Sequence, residues 1–454
     1  MGTANRPVVT TGGMYRGQEL TLRQNQPRGP RHIVIATIGS LGDLHPCLAI
    51  GRELLERGYR VTISTTPYYR SRVEGLGLSA RSMRPDWDPT DTKLIQSCED
   101  LQRGLEVLYR EMLLPELKHT YLDLLSVAED ADLLIAGELV FAAPLVAEKL
   151  SLPWVSLILS PFSFFSCIDP SVTVNLPVLF KPRKAGPTVY KAALNLGKLS
   201  TRHWSNPVRQ LRQQEGLRQK CDPVFVDKFS QQLVLALFSQ WFAPKQRDWP
   251  PQTLQPGFVY FETPPTVDSL ARLRKFLSSG TAPLVFTQGS TAVHNPRHFY
   301  EVSAKIARRL RMRALLIGTK NWEEDSNDVL VLPYIPYSHV FPHASVIVHQ
   351  GGSGTTGEAL RAGRPMLVVP YGWDQPDNAY RIERLGVGLH VPRSRYTVET
   401  AAAAIQLLLD NPRFSVRGAE LGSRISGENT IGLACDAIES LVRSRTPSGS
   451  PSQI

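Results

Sequence analysis

Short runs of consecutive apolar residues alternate with amphipathic helical segments along most of the chain. In the first half, these runs predict strands at 33–37, 60–64, 133–136 and 154–158. A helix is predicted between the first two strands, from about His45 to Arg57. Apolar runs without alternation are typical of strands that helices cover on both faces. The first half is therefore predicted to form a parallel sheet between two helical layers.

A second set of apolar runs follows residues 262–265. It predicts strands at 284–287, 313–317, 329–332, 346–348 and 366–369. Because 454 residues are too many for one hydrophobic core, two domains are predicted. The fold class predicted is α/β, with two Rossmann-like, doubly wound parallel-sheet domains. Ligands of such sheets bind beyond the carboxyl ends of the strands, so a site is expected in the cleft between the domains. The predicted divisions are a disordered tail at 1–30, an N-terminal domain at 31–262, a C-terminal domain at 263–430 and a disordered tail at 446–454.

A glycine- and hydroxyl-rich turn follows the fourth strand of the second set. It reads His-Gln-Gly-Gly-Ser-Gly-Thr-Thr-Gly-Glu from His349 to Glu358, and a helix is predicted to run from it to about Ala362. Backbone N–H groups at a helix N-terminus bind anions, because the helix dipole favours negative charge there. The imidazole of His349 can donate to the same phosphate. After the next strand, Asp374 and Gln375 can hydrogen-bond sugar hydroxyls, so the two segments predict a nucleotide-sugar site.

Residues 349–378 resemble the donor motif of the GT-B glycosyltransferase superfamily, which includes plant and antibiotic glycosyltransferases. Residues 39–46, Gly-Ser-Leu-Gly-Asp-Leu-His-Pro, are similar to the acceptor-side motif of the sterol and glycopeptide glycosyltransferases. Segments within 241–250 and at 283–291 resemble the rhamnosyltransferase of rhamnolipid synthesis. The resemblance implies a GT-B fold whose last helix, here at 431–445, crosses back to the first domain.

The resemblance also implies an activity, that of an inverting, metal-independent hexosyltransferase (EC 2.4.1 type) with a UDP- or dTDP-sugar as co-substrate and no cofactor. Asp86 with Asp88 and Asp130 with Asp132 have the spacing of metal-dependent glycosyltransferases, but neither pair follows an apolar strand. Both pairs are interpreted as loop charges, so no metal site is predicted. The acceptor-side motif argues against a nucleotide-sugar epimerase or hydrolase. The intact set of polar residues argues against a non-catalytic partner that binds nucleotide sugar.

Transfer to a hydroxyl needs a base for the acceptor proton. Asp43 follows the first strand on a loop that must face the cleft, and its alternative role is to cap the next helix. The related motif places a catalytic Asp or His here, which favours Asp43 as the base. His45 is a second candidate base, or a residue that packs at the helix start. Plant relatives orient a catalytic His with an Asp where this chain has Gly137, and Glu138 could replace that Asp only if its loop brings it to the site.

The donor side has a larger set of candidates, and the resemblance assigns their roles. Ser290 joins His349 and the turn after it at the diphosphate, and Glu358 is assigned to the ribose. Tyr334 either stacks on the nucleotide base or is a core tyrosine. Asp374, without the resemblance, would equally suit a helix cap. The full predicted donor set is Gly42, Ser290, Tyr334, His349, Gly352, Ser353, Gly354, Thr355, Glu358, Asp374 and Gln375, with Asp43 and His349 as the catalytic pair.

Composition describes an ordinary globular protein, with 42% hydrophobic and 20% charged residues. The formal net charge of +10 either serves solubility or attracts anionic lipids and acidic substrates. No zinc spacing, basic-aromatic module or long basic run predicts nucleic-acid binding. The five cysteines form no CxxC pair, which suits reduced thiols in the cytoplasm. Residues 1–30 hold no signal-peptide core, and charges and prolines within 133–165 exclude a membrane span there.

A basic stretch at 181–202 predicts amphipathic helices in an insertion of the first domain. Their basic faces are either solvated or form a lip against anionic membrane, which would place the protein peripherally at the inner membrane surface. With the apolar residues at 154–165 and the likeness to the rhamnolipid enzyme, this stretch predicts an apolar, hydroxyl-bearing acceptor such as a hydroxy-fatty-acid lipid. Polyphenols, polyketides and sterols are the alternative acceptors. The sugar and the choice between UDP and dTDP stay open.

Overall fold

The computed structural model describes residues 30–88, 91–98, 100, 103–172, 181–219, 222–289, 296–319 and 328–443. The tails predicted to be disordered lie outside the described residues, except for Pro30. The phosphate candidate Ser290 also lies outside them, as does Cys221, one of the five cysteines.

Seven parallel strands form the sheet of the first half, in the order β3-β2-β1-β4-β5-β6-β7. β1 lies between β2 and β4, with Ile33 opposite Val61 on one side and Leu133 on the other. The four predicted strands are confirmed. β3, β6 and β7 were not predicted, because β3 is polar and largely exposed and β7 has only two residues. The strands are β1 (His32–Ala36), β2 (Arg60–Thr65), β3 (Ser79–Ser82), β4 (Leu133–Gly137), β5 (Trp154–Ile158), β6 (Leu233–Ala236) and β7 (Thr253–Leu254).

The helices of the first half cover this sheet on both faces. They are α1 (Leu41–Glu56), α2 (Arg70–Glu74), α3 (Thr92–Cys98), α4 (Leu117–Ala128), α5 (Ala143–Lys149), α6 (Pro187–Thr201) and α7 (Asn206–Gln214), with a π-helix at Val107–Leu113. α1 begins at Leu41, earlier than the predicted start near His45. The Ser40 side chain accepts from the Gly42 N–H, and the Asp43 carboxylate reaches back to the Ser40 N–H, which together form a capping box. The N-cap residue is therefore Ser40, and Asp43 lies in the first turn.

Six parallel strands form the second sheet, in the order β10-β9-β8-β11-β12-β13. They are β8 (Leu284–Thr287), β9 (Ala314–Ile317), β10 (Val329–Leu332), β11 (Val346–His349), β12 (Met366–Val368) and β13 (Gly388–His390). The five predicted strands are confirmed, and β13 is the additional one. The helices of this half are α8 (Val267–Ser278), α9 (Pro296–Leu310), α10 (Ser353–Ala362), α11 (Gln375–Leu385), α12 (Val398–Asp410) and α13 (Pro412–Ser426).

The last helix, α14 (Thr430–Arg443), leaves the second half and packs on the first sheet. Its Ala434, Cys435 and Ile438 are buried in one cluster with Leu44 and Leu48 of α1. None of the helices in the described part of the chain has both the length and the hydropathy needed to cross a bilayer.

Each sheet reverses its strand order at one place, between β1 and β4 in the first and between β8 and β11 in the second. A crevice forms beyond the carboxyl ends of the strands at such a reversal. Asp43 and Glu138 follow β1 and β4, while Gly289 follows β8 and His349 ends β11. The predicted catalytic and phosphate-binding residues thus lie at the two reversals.

Candidate active site between the two sheets

The turn between β11 and α10 brings backbone N–H groups to a helix N-terminus. Gly351 has a φ of 91°, and Gly352, the N-cap residue, has no side chain that could satisfy the first turn. α10 then runs for 10 residues from Ser353. The N–H groups of Ser353, Gly354 and Thr355 are the donors that a helix start leaves without intrahelical partners, and the helix dipole suits them to an anion.

His349 stands beside this turn and is completely buried. The Gly351 N–H donates to Nδ1 at 3.1 Å, which places the imidazole proton on Nε2. Nε2 has no partner among the described residues. Burial lowers the pKa of His349 to about 3, so the ring is neutral at ordinary pH. A buried donor without an acceptor costs about 1–3 kcal/mol, which a ligand oxygen at Nε2 would recover.

Other buried polar atoms at the same sheet edge also lack partners within the described ranges. They are Oε1 of Gln288, Oε1 of Gln350, Oγ1 of Thr356 and Oδ1 of Asn378. None of these residues was among the candidates that the sequence motifs indicate. The available signal was a polar residue directly after an apolar strand, as at Gln288 and Gln350. At Gly289 the φ is +68°, and a Cβ would lie 2.1 Å from Gln350 Nε2, so only glycine fits there.

Asp374 connects the turn between β11 and α10 to α11 through hydrogen bonds. Its Oδ2 accepts from Ser353 Oγ at 2.7 Å and from Asn378 Nδ2 at 2.9 Å. Asn378 Nδ2 also donates to the Gly351 carbonyl at 2.9 Å. Burial raises the pKa of Asp374. Asp374 occupies the N-cap position of α11, but its side chain makes no capping hydrogen bond there.

The neighbours of Asp374 in sequence are held by different parts of the molecule. Gln375 is buried, and its Oε1 accepts from the Tyr371 N–H at 2.9 Å. Trp373 has a φ of 61°, an uncommon conformation for a bulky residue. Its Nε1 donates to the carbonyl of Cys98 in the first half at 2.7 Å. The predicted sugar-binding turn therefore contacts both halves.

Asp43 is half-buried and has two hydrogen bonds from one residue. Its Oδ2 accepts from Ser40 N at 2.8 Å and from Ser40 Oγ at 3.2 Å. Burial raises the pKa of Asp43 to about 7; the bonds from Ser40 oppose this, and the charges of Glu138 and Asp374 raise the pKa further. A carboxylate that titrates near neutrality suits a general base. The N–H of Gly42, a predicted donor contact, is committed to Ser40 Oγ at 3.1 Å.

The two further base candidates have different surroundings. The His45 ring packs on Phe261 with centroids 5.3 Å apart, and burial lowers the pKa of His45 to about 4. Glu138 accepts from Ser163 Oγ at 2.7 Å and pairs with Lys228 Nζ at 2.8 Å. Both Glu138 oxygens are thus engaged by other residues, and Glu138 acts on Asp43 through its charge.

The candidates for the nucleoside lie further along the second half. Glu358 is buried and pairs with Arg361, and burial raises the pKa of Glu358 to about 7 although Arg361 opposes this. Tyr334 is 43% exposed, so the alternative of a core tyrosine is wrong. Its hydroxyl accepts from the Thr263 N–H at 3.1 Å and donates to the Thr263 carbonyl at 3.0 Å. Tyr337, in contrast, is stacked on Phe341 with centroids 4.3 Å apart.

Comparison with known proteins decides the family. The model described as "Glycosyltransferase family 28 N-terminal domain" matches residues 33–162, and "Erythromycin biosynthesis protein CIII-like, C-terminal domain" matches residues 323–429. The chain is 30% identical over 436 residues to O-mycaminosyltylonolide 6-deoxyallosyltransferase of Streptomyces fradiae, with 92% of this chain and 99% of that relative covered. This chain is a GT-B glycosyltransferase. The predicted family and fold class are therefore confirmed.

Two further relatives extend the comparison. The glycosyltransferase is 26% identical over 404 residues to sterol 3-beta-glucosyltransferase UGT80A2 of Arabidopsis thaliana, covering 84% of this chain and 61% of that relative. Its fold matches the solved structure of glycosyltransferase VinC in complex with DTDP, with a TM-score of 0.64 and 17% identity over 91% of this chain and 98% of that one. At that identity the likeness to VinC shows the fold alone.

Proposed function

We propose that this glycosyltransferase transfers a hexose from a UDP- or dTDP-sugar to a hydroxyl of an apolar acceptor, with inversion at the anomeric carbon. The observation that carries the proposal is the buried Nε2 of His349, which has no partner among the described residues and lies beside the N-terminus of α10. The charge of Asp374 in the second half also raises the pKa of Asp43 in the first half. This supports a cleft that the proposed base and the proposed sugar-binding carboxylate share.

In the proposed reaction, ionised Asp43 takes the proton of the acceptor hydroxyl. The hydroxyl oxygen forms a bond to the anomeric carbon while the bond to the diphosphate oxygen breaks on the opposite face. The Nε2–H of His349 and the first N–H groups of α10 stabilise the charge that develops on the leaving diphosphate. We propose that no metal is needed. Within the described residues, no group of three or more His, Cys, Asp or Glu side chains is placed to hold a metal ion.

Both substrates are proposed from the site together with the relatives. A DTDP complex of VinC and the anion site at α10 support a nucleotide-sugar donor. The names of two relatives give a tylonolide derivative and a sterol as acceptors, which supports an apolar, hydroxylated acceptor of natural-product type. A hydroxy-fatty-acid lipid is the competing acceptor, motivated by the likeness of 283–291 to the rhamnolipid enzyme.

A panel of UDP- and dTDP-sugars, with and without hydroxylated acceptors, tests this proposal. We expect transfer only with acceptor present, an inverted anomeric configuration by NMR, and an unchanged rate after addition of a chelator. Free sugar or an epimer without acceptor would indicate a hydrolase or epimerase, and donor binding without turnover a non-catalytic partner. Comparing hydroxyalkanoates with polyketides, sterols and flavonoids decides the acceptor class.

Replacing the sugar-side residues is expected to separate sugar binding from nucleotide binding. For Gln375→Ala we predict an increase in KM for the nucleotide sugar of about tenfold, the effect of losing one or two hydrogen bonds. The affinity for free UDP or dTDP should stay nearly unchanged, as measured by calorimetry. Asp374→Ala should likewise raise the KM for the nucleotide sugar. It also removes the acceptor of the hydrogen bond from the Ser353 hydroxyl. Equal losses for nucleotide and nucleotide sugar would remove both residues from the sugar site.

We further propose peripheral contact with anionic membrane through α6. This helix exposes Val189, Leu196 and Leu199 by 49%, 58% and 64%, and it also exposes Lys191. Apolar residues beside lysines suit binding to anionic headgroups. We predict co-sedimentation with phosphatidylglycerol vesicles that fades at high salt and is lost in Leu196→Glu.

The matched control for the membrane test is Leu407→Glu, since Leu407 is 51% exposed on the second half. Equal binding of the Leu196 and Leu407 variants, or binding to neutral vesicles, would contradict the contact.

A further inference from the structure

One short segment of the first half, residues 166–172, contacts a helix of the second half, α11. Asp169 of this segment is 17% exposed and accepts from two arginines of α11. Its Oδ1 accepts from Arg384 Nη1 at 2.6 Å, and its Oδ2 pairs with Arg381. The first half of the molecule therefore holds α11 of the second half by an ion pair across the cleft.

The contact closes into a ring of hydrogen bonds. Arg381 is 2% exposed, and its Nε donates to Asp377 Oδ2 at 2.8 Å. Asp377 is completely buried, and its Oδ1 accepts from the Val172 N–H at 2.8 Å. The ring thus starts at Asp169, passes through Arg381 and Asp377 and returns to the same segment at Val172. Such a closed set of charge-assisted bonds has one geometry, because each group is fixed by two others.

A second contact from the first half reaches the same helix. The Arg183 guanidinium lies over the Tyr380 ring, 4.1 Å from its centroid.

Burial alone would raise the pKa of Asp169, but the hydrogen bond from Arg384 and the charge of Arg381 lower it to about 2. The carboxylate therefore stays ionised, and the contact stays intact, over the whole range in which Asp43 titrates.

α11 does not need this ring in order to pack on its own sheet. Ala379 and Ile382 are buried in a hydrophobic cluster that includes Met366 and Val368 of β12, on the second sheet. Buried ion pairs contribute little net stability compared with apolar packing, since desolvation offsets most of the attraction. The charges of the ring therefore require an explanation other than holding α11 in its domain.

α11 begins at Gln375, directly after Asp374, and Asp374 binds Ser353 of the phosphate turn. A shift of α11 therefore moves the sugar-binding pair relative to Asp43. We propose that Asp169 and Arg381 are positioning residues, through which the first half fixes the position of the bound sugar relative to Asp43. This rests on the proposed sugar-binding role of Asp374 and Gln375. Errors of about 1 Å in such an alignment lower rates by up to about a hundredfold.

The variant Asp169→Asn tests this, with Asp436→Asn as its matched control. Asp436 also pairs with an arginine remote in sequence, Arg57 at 2.7 Å, but lies outside the cleft. For Asp169→Asn we expect kcat of transfer to fall about tenfold or more and the share of nucleotide sugar lost to hydrolysis to rise. The affinity for free UDP or dTDP should change less than twofold, since the bonds of Asp169 are to α11 and the anion site belongs to α10. The control should match the wild type in all three measurements.

Hydrogen exchange adds a measurement that does not depend on activity. In Asp169→Asn, the backbone amides of α11 should exchange faster while those of α10 stay unchanged. Faster exchange in both helices, or a parallel loss of nucleotide affinity and kcat, would mean that Asp169 only stabilises the fold and would overturn the proposal. Wild-type kcat in Asp169→Asn would overturn it as well. Absence of transfer by the wild type would instead contradict the proposed function, and the exchange experiment would still decide whether segment 166–172 holds α11.

Discussion

Asp43→Asn is expected to lower the rate of sugar transfer about a hundredfold or more, while donor binding is retained. The asparagine side chain keeps an oxygen that can accept from the Ser40 N–H, the bond that caps α1. It cannot take a proton from the acceptor. The variant therefore separates the two roles of Asp43, as a base and as part of the capping box. The measurements are kcat of transfer and calorimetric binding of the nucleotide sugar.

The pH dependence provides a second test of Asp43. Because burial raises its pKa to about 7, the wild-type rate should rise with pH and level off above about 7. This acid limb should be absent in Asp43→Asn. A raised carboxyl pKa stabilises the fold below its unfolded value of ~3.9, and this stabilisation is lost as pH rises through about 7. The variant should therefore be at least as stable as the wild type at pH 8, as measured by its Tm.

Ser40→Ala is the control for the capping role. It removes the hydroxyl that accepts from Gly42 N and donates to Asp43, at a cost of about 1 kcal/mol in stability. The bond from Ser40 lowers the pKa of Asp43, so its loss should move the acid limb to higher pH and leave the plateau rate intact. Near wild-type transfer by Asp43→Asn would make Asp43 a capping residue only. His45 would then be the remaining candidate base.

His349→Ala is expected to lower kcat about a hundredfold to a thousandfold, the usual effect of removing one donor to a developing negative charge. Affinity for the nucleotide sugar should fall as well, but less than kcat, because the bond strengthens as charge builds on the leaving diphosphate. Burial keeps the pKa of His349 at about 3, so this residue should not contribute to the acid limb above pH ~4. Single-turnover kinetics and calorimetry measure the two effects separately.

His32→Ala is the matched control for His349→Ala. His32 is equally a buried histidine, but its two ring nitrogens are bonded to Asp130 and Thr62, at the opposite end of β1 from the site. The control should lose stability and keep its kcat. If His349→Ala lost nucleotide affinity and kcat by the same factor, His349 would bind the ground state only.

Features set by neighbouring residues could be predicted from the sequence. The continuous apolar runs predicted nine of the strands, since a strand covered by helices on both faces has no polar side. The turn at 349–358 and its helix were also predicted, because glycines and hydroxyls before a helix are a local pattern. The start of α1 was placed too late. The cap was considered at Asp43, whereas Ser40 caps the helix and Pro46 lies inside it.

The tertiary structure decided which polar groups meet. Asp169 and Arg381 are 212 residues apart in the chain, and no local pattern links them. The same holds for Asn378, which ties the Gly351 carbonyl to Asp374, and for the charge of Asp374 acting on Asp43. Each segment has its own hydrophobic pattern, because every helix must bury one face on its sheet and every strand that helices cover must bury both. The contacts across the cleft depend on the relative orientation of the two folded sheets, and that orientation arises only from the packing of the whole chain.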